Sequence, residues 1–492
     1  MPHIDKSTYK ISDKHPEYCA LEKSWKKLRD VYQGEECVKK AGKDYLKPLK
    51  GHENNPKGYT EYCQNAVWFD ATYQTVNAVV STLMSRMPLQ EGDEDLFESL
   101  VPEYSTFELW LKKFLTEMVL QSRVGVLIDI TKYIDEQGNE QSYPYLVLKR
   151  AEEIIWWEPI GQGRTKQLGR VVLIEQTAED KDPKYRELLL GFPSQETLEH
   201  NEAKDESEKI DLEGKFFVAL SRLWAKNDRG EYIIIDEYIL TEADGTTPLN
   251  QLPFFFANRN NSAPEPERPQ FIGLADMNVH DYQLSAKIQN IITFASQPML
   301  SITSDDPNVV KKLSGLRSDK VIGVGKDGKA EVVEPGGNAL KTLNELAAGL
   351  KQNMALIGAK ALELPTKQKE SAESLVVRTS GERNLIDSLG RTATNTLTLV
   401  VQFAARLAGY TNYEEFKLEI SKDVSTPEIP LEKARFIQSI DWMSNELKHR
   451  IFQSGGIIPE GEEFDYDPVE DKRLQTEAQE RMEQNNNFPT NQ

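Results

Sequence analysis

The amino-acid sequence predicts an α+β protein of several packed units, helical at its start, β-rich in its middle and helical again in its second half. Three observations carry this expectation. Apolar residues recur at three- and four-residue steps before the first strand-like run; short β-branched runs separated by Gly, Asp and Asn turns fill Tyr143 to about Phe256; and helical spacing returns at Leu274. At 492 residues the chain also exceeds what one hydrophobic core usually supports, so roughly three domains are expected.

Taken in order, Phe69, Tyr73, Val76, Val80, Leu83 and Met87 form the stripe of an amino-terminal helix. The acidic segment GDEDLFESLVPEYS reads as a loop and Phe107 to Gln121 as a further helix. The next run, RVGVLIDI, reads as a buried strand, because β-branched residues suit a pleated, covered surface. From Tyr143 the runs YLVLKR, EIIWW, GRVVLIEQ, RELLLGF, FFVALSRLW and EYIIIDEYIL predict a mixed or antiparallel sheet region. Within it, Gln195 to Lys215 is mostly Glu, Asp and Lys and is expected to be a mobile loop. Pro264, Pro266 and Pro269 then end the sheet, since proline cannot donate to a ladder.

Beyond them, Leu274, Met277, Leu284, Ile288, Ile291 and Ile292 line one helix, and Ser301 to Gly337 reads as a compact strand and turn segment. Leu340, Leu343, Leu346, Ala347, Leu350, Met354 and Ile357 line a second helix. Ile386, Leu389, Ala393, Leu397, Val400, Ala404 and Leu407 share one face of a third, about 33 Å long at 1.5 Å per residue. That apolar face is expected to be covered by a neighbouring copy in head-to-tail contact, because a thin subunit offers too little cover of its own. After Gly409 two shorter helical pieces and the polar tail QNNNFPTNQ, expected to be disordered, complete the chain.

Lysine and arginine number 59 against 79 aspartates and glutamates, a formal net charge of −20. Acidity opposes phosphate binding, since neutralisation by Lys and Arg supplies most non-specific affinity for DNA. Two readings stay open: acidity that keeps a protein soluble, and the wall of a conduit past which DNA slides without sticking. Cys19, Cys37 and Cys63 are odd in number and include no C-x-x-C pair, so reduced thiols are expected, in keeping with assembly in a cytoplasm. The opening MPHIDKSTYK lacks the apolar core of a signal peptide. The most apolar helical stretch, Leu397 to Leu407, is interrupted by Gln402 and Arg406, so no membrane span is expected.

The segment from Gly323 to Ala330, GVGKDGKA, matches G-x-G-x-x-G and comes within one residue of a phosphate-binding loop. Such a loop needs Ser or Thr after its Lys to hold Mg²⁺, and then a helix whose amides meet the phosphate. Here Ala330 and a strand-like AEVVEPGG follow Lys329, so the segment reads as a hairpin turning at Asp327-Gly328. The six histidines never pair at metal-ligand spacing and neither H-E-x-x-H nor G-x-S-x-G occurs, so no metal, cofactor or catalytic residue is expected. Asp129 with Asp135 and Glu136 raises the question of a Mg²⁺ cluster, but a strand end and its solvated turn account for them better. Trp156 and Trp157, with Trp110 and Trp224, suit either base stacking or burial in a core or subunit interface, and burial is the reading preferred.

Several local motifs, in their order along the chain, resemble the portal proteins of tailed bacteriophages. YCQNAVWFDATYQTVNAVVSTLMSRMP is similar to the opening helix of that family, LADMNVHDYQLSAKIQNIITFASQPMLSI to its first stem helix, and EPGGNALKTLNELAAGLKQNMALIGAKAL to the return stem helix. ESAESLVVRTSGERNLIDSLGRTA resembles the entry to the helix that borders the tunnel, and IDWMSNELKHRIFQSGGIIP with DPVEDKRLQTEAQER the common carboxyl-terminal ending. The resemblance runs from about Tyr62 to Arg481. It implies a portal-like α+β architecture: a wing of helices and a mixed β region (1–270), a first stem helix (271–302), a small α/β clip (303–337) and a second stem helix (338–365). A long tunnel-bordering helix (366–410), a helical crown (411–475) and a polar tail (476–492) follow. The acidic segment 195–215 has no place in the family pattern.

The resemblance further implies a non-enzymatic, homo-oligomeric ring, usually dodecameric in the virion, at one capsid vertex beside the major capsid protein. Terminase, and later neck, adaptor or tail proteins, would dock on it, and viral double-stranded DNA would pass through its channel, with no membrane involved. Within that frame the polar run KESAESLVVRTSGER is expected to face DNA. Cations such as Arg378 and Arg383 would make brief phosphate contacts, Glu370, Glu373 and Glu382 would keep any one contact from becoming a trap, and Gly381 would allow a bend. Lys311, Lys312, Arg317, Lys320, Lys326 and Lys329 would make the 301–337 segment the docking surface for packaging and neck proteins, though Asp305, Asp306, Asp319, Asp327, Glu331 and Glu334 balance their charge. The rival readings are another capsid-associated structural protein and a nucleotide-dependent enzyme built on the glycine segment.

Overall fold

The computed structural model describes residues 10–50, 55–85, 88–134, 140–163, 166–175, 182–205, 208–215, 217–295, 299–303, 329–333, 338–358 and 372–420. Over these residues the fold is α+β, and its strands pair antiparallel throughout. Helix α6 (Phe107–Gln121) is the middle of the core: Phe107, Trp110, Leu111, Phe114, Leu115, Met118 and Leu120 are all buried. Thr106 caps its start by accepting from the Leu109 N–H at 3.3 Å. Its end is turned by Ser122, whose left-handed φ of 56° sends the chain straight into β2 (Arg123–Ile134). That strand is the centre of a three-stranded sheet, between β3 (Glu140–Arg150) and β9 (Phe254–Asn258). Gly125 in β2 leaves room for the Phe254 ring, which would stand 2.3 Å from a Cβ there.

Of the expected strand runs, YLVLKR lies in β3 and the other five form a meander of β4 (Ile154–Ile160), β5 (Gln167–Glu175), β6 (Lys184–Gly191), β7 (Val218–Lys226) and β8 (Tyr232–Ile239). Of the four tryptophans named above, Trp110, Trp156 and Trp157 are buried and Trp224 is half-buried. The sequence gives no hint of the reason: Arg123, fully buried, lies 4.2 Å from the Trp157 ring and 4.5 Å from that of Phe256. Burial lowers its pKa to about 9. Asp129 serves an ion pair: it meets Arg186 of β6 and accepts from the Tyr145 hydroxyl, tying the two sheets together. No group of three potential metal ligands stands together among the described residues, and none of their helices is long and apolar enough to cross a membrane.

Amino-terminal helices α1 (Pro16–Gln33), α2 (Glu35–Ala41), α3 (Pro56–Asn65) and α4 (Ala71–Leu83) pack around this centre. Arg29 of α1 forks onto Glu117 of α6 at 2.9 and 2.7 Å and onto Glu152 in the turn before β4 at 3.1 Å. Burial alone would lower the pKa of Arg29 and raise that of Glu117; the pairing outweighs it, so Arg29 is raised and Glu117 lowered.

Several expectations are corrected. The α4 stripe is offset from the one read from apolar residues: Phe69 precedes the helix, Tyr73 is exposed, and Thr72 and Thr75 are buried beside Val76, Val80 and Leu83, their hydroxyls being bonded. Met87 lies outside the described residues. The GDEDLFESLVPEYS segment contains a short helix, α5 (Glu94–Ser99), because Leu96 and Phe97 enter the core, with Phe97 against Phe107 and Phe416.

The segment 195–215 carries helix α7 (Gln195–Glu202), capped by Ser194, where a mobile loop was expected. Glu237 of β8 accepts from the Ser194 N–H at 2.6 Å and from the Thr197 hydroxyl at 2.7 Å. Asn201 bonds both backbone groups of Ile210, and Ile210 packs with Val218, Leu220 and Ile239 in a small second core. A few side chains aimed inward suffice to order a stretch whose composition is polar.

Two outcomes test this account. Arg29→Met leaves buried Glu117 with only the more distant Lys113 and Arg150, at 3.4 and 3.9 Å, and is expected to cost up to about 3–5 kcal/mol, with most of it returned in Arg29→Met/Glu117→Leu, as measured by urea unfolding. Glu237 has its pKa lowered from 4.5 to about 2: burial opposes this, and the bonds from Ser194, Thr197 and Arg222 override it. A depressed carboxylate stabilises fully above its unfolded pKa and loses that contribution as pH falls through its folded one. The stability gap between wild type and Glu237→Gln should therefore be constant above pH about 4.5 and close between there and about 2.

Candidate functional site

The most distinctive feature is a helical hairpin followed by a long rod. Helix α8 (Ile272–Ala295) leads into β10 (Met299–Thr303), which pairs antiparallel with β11 (Lys329–Val333), and α9 (Asn338–Gly358) returns along α8. Helix α10 (Ala372–Leu407) then runs unbroken through Gly381, and β12 (Lys417–Glu419) pairs with β1 (Leu89–Glu91). The two expected helices and the strands between them are thus present. Strand β11 begins at Lys329, so a strand stands where a phosphate-binding loop would need a helix start. Its described partner is β10; the expected turn at Asp327-Gly328 lies outside the described residues.

The first half of α8 is pinned to the amino-terminal helices by polar side chains. Asp276 meets Lys27 at 2.7 Å, Gln283 donates to the Tyr45 carbonyl at 2.6 Å, and Ser285 accepts from the Val67 N–H at 2.8 Å. Asn278, fully buried, accepts from the Thr72 N–H and hydroxyl at 3.1 and 3.2 Å and donates to the Phe69 carbonyl at 2.6 Å. It caps α4 from another helix, a service that Asp70 at the N-cap does not perform. Asp281, also buried, has its pKa raised by burial, opposed by Lys351 and His280. The sequence carried one signal of these residues: the apolar stripe of α8 has a gap between Met277 and Leu284.

The rest of the hairpin is only partly covered. Of the stripe expected on α9, Met354 is buried, whereas Leu346 and Ile357 are at least half exposed, as is Leu356. Ile292 near the end of α8 is also exposed. The opposite holds for α10, where the expectation of cover from a neighbouring copy is corrected. Leu389, Ala393, Leu397, Val400, Ala404 and Leu407 are buried within this chain, against β9, β12 and α4. Threonines fasten the same helix. Thr392 donates to the Arg259 carbonyl at 3.3 Å, Thr396 shares a hydrogen with Ser262 at 2.6 Å, and Thr398 donates to the Leu418 carbonyl at 3.1 Å.

Of the residues expected to face DNA, Glu373, Arg378, Glu382 and Arg383 are on α10, their side chains outside the description; Glu370 lies outside the described residues. Of the expected docking cations, Lys329 opens β11 opposite Thr303, and Lys311, Lys312, Arg317, Lys320 and Lys326 lie outside the described residues. Residues 411–420, the opening of the expected crown, hold a 3-10 turn and β12; the remainder lies outside the described residues.

The family model described as "Domain of unknown function (DUF4055)" matches residues 270–408, the stretch from the start of α8 to the end of α10. No curated protein matches the chain. Among solved structures, it is similar to a chain in the neck of an empty GTA particle, at 10% identity and TM-score 0.39, covering 78% of this chain and 90% of that one. A chain in the virion of a native gene transfer agent (GTA) particle gives 8% identity, TM-score 0.40 and 81% and 93% coverage. A chain in the neck of a native GTA particle gives 9%, 0.38, and 77% and 89%.

Asp281 yields a test. An acid whose folded pKa is raised stabilises fully below its unfolded pKa and loses that contribution as pH rises through the folded one. Asp281→Asn should therefore raise the melting temperature at pH 7, with the gain shrinking as pH is lowered toward 3.8, the ordinary value for an aspartate. Calorimetry across that range checks it.

Proposed function

We propose that this chain is the portal protein of a tailed-phage-like particle, a structural ring at one capsid vertex through which double-stranded DNA is packaged and ejected. The observation that carries the reading is the α8–α9 hairpin, whose arms keep Ile292, Leu346, Leu356 and Ile357 exposed in the isolated chain. Helical arms that cannot bury their apolar residues alone call for partners, and identical neighbours arranged around an axis supply them with one repeated contact. The order of hairpin, short strand pair and long rod agrees with the motif order noted in the sequence. The start of β11 at Lys329 disfavours the nucleotide-dependent alternative.

In this reading α8 and α9 form the stem and the strands between them the base of a clip. Terminase, and then neck or tail proteins, dock beyond those strands. The major capsid protein surrounds the wing, and the start of α10, with Glu373, Arg378, Glu382 and Arg383, borders the channel. The net charge of −20 suits a passage that DNA crosses without being held.

Negative-stain images of the purified protein should show closed rings with a central opening. Leu346→Asp/Leu356→Asp should shift the light-scattering mass toward the monomer while leaving the thermal unfolding of the subunit unchanged, since both positions are exposed in it. A wild-type protein that stays monomeric at micromolar concentration would refute the reading. Excising residues 304–328 should spare rings and stop packaging.

A further inference from the structure

Acidic α7 and the basic amino-terminal helices lie at opposite edges of the five-stranded sheet. Its outer strands are β4 and β8, four strand spacings or about 19 Å apart. The β4 edge is covered by the chain itself. The His15 N–H donates to the Ile155 carbonyl at 2.8 Å, and Tyr18 and Arg29 of α1 bond Glu152 just before the strand. That places α1 at this edge, with α2 packed on α1, and residues 10–50 hold eleven Lys and Arg against seven Asp and Glu in a chain of net charge −20. Lys23, Lys40, Lys43 and Lys47 there are exposed and have no carboxylate partner among the described residues.

The β8 edge is bare. Among the described residues no backbone group outside β7 bonds along it, and Ile233, Ile234 and Ile235 are 44, 39 and 51% exposed. Uncovered sheet edges with apolar side chains are pairing surfaces, which proteins otherwise blunt. Around it stand acids: Glu231 and Asp236 are exposed, and Glu237 holds the start of α7 against the strand. From 195 to 215 eight Asp and Glu face three Lys. An apolar centre with a charged rim is the anatomy of a protein interface.

We propose that copies of this chain join head to tail, the β8–α7 edge of one copy seating on the amino-terminal face of the next, which carries the exposed Lys23, Lys40, Lys43 and Lys47. The inference rests on the ring reading above and names its wing contact. A ring needs two different surfaces on each subunit, and the two edges of the sheet carry different ones. Like-with-like contact is disfavoured, because two β8–α7 edges would bring acids against acids.

A charge swap tests it. Glu196→Lys/Glu199→Lys and, separately, Lys40→Glu/Lys43→Glu change exposed side chains only, so circular dichroism and melting temperature should match wild type. At low salt each variant should need at least about tenfold more protein to assemble, read by light scattering. A chain carrying both sets, or an equimolar mixture of the two variants, should recover wild-type assembly, because each contact regains opposite charges. If wild-type rings form and either variant assembles as wild type, or the combined set does not recover, this contact is wrong and the ring stands. If wild type forms no ring, the ring reading falls and this contact with it.

Discussion

The fold hangs on the Arg29 fork. One guanidinium takes up Glu117, 1% exposed at the heart of the core, and Glu152 at the corner where the chain passes from one sheet to the other. A buried carboxylate that stays ionised needs a close, geometrically matched cation, and arginine's planar fork suits that role. Once α1 is fixed in this way, Lys27 and Tyr45 meet Asp276 and Gln283 of α8, so the position of the hairpin follows from the same anchor.

Charge is used in two ways in this molecule. Inside, carboxylates bridge elements: Asp129 and Glu175 with Arg186 between the sheets, Glu187 with Arg170 and Arg222 along one sheet, and Glu242 with Arg406 between a β turn and the end of α10. Outside, residues 195–215 are rich in acids and residues 10–50 in bases, while mixed pairs such as Lys14–Glu22 and Lys226–Asp182 stand elsewhere on the surface. A net charge says little about a surface whose acids are partly spent on internal pairs and partly gathered at one edge.

Apolar cover is likewise uneven. Helix α10 is buried where it crosses the body, so its stripe stabilises the subunit. Along α8 and α9 cover is partial, and Ile292, Leu346, Leu356 and Ile357 face solvent.

What the sequence by itself determined was everything set by local period. Helix α6, strand β2, the meander strands and the helices on either side of β10 and β11 were legible, because each is a repeat of two or 3.6 residues readable within a dozen positions, whereas α10 begins at Ala372 and not at Ile386, where its apolar stripe starts. Only the tertiary structure decided who covers what. Thr72 is buried by Asn278, 206 residues away; α7 is ordered by Glu237, 40 residues from Thr197; the apolar face of α10 is covered by strands of its own chain. Arg123 is enclosed by rings from β4 and β9 that no spacing announces. Such pairings are settled by which groups lose their water together, and that depends on neighbours in space, for which the period of a single element holds no record.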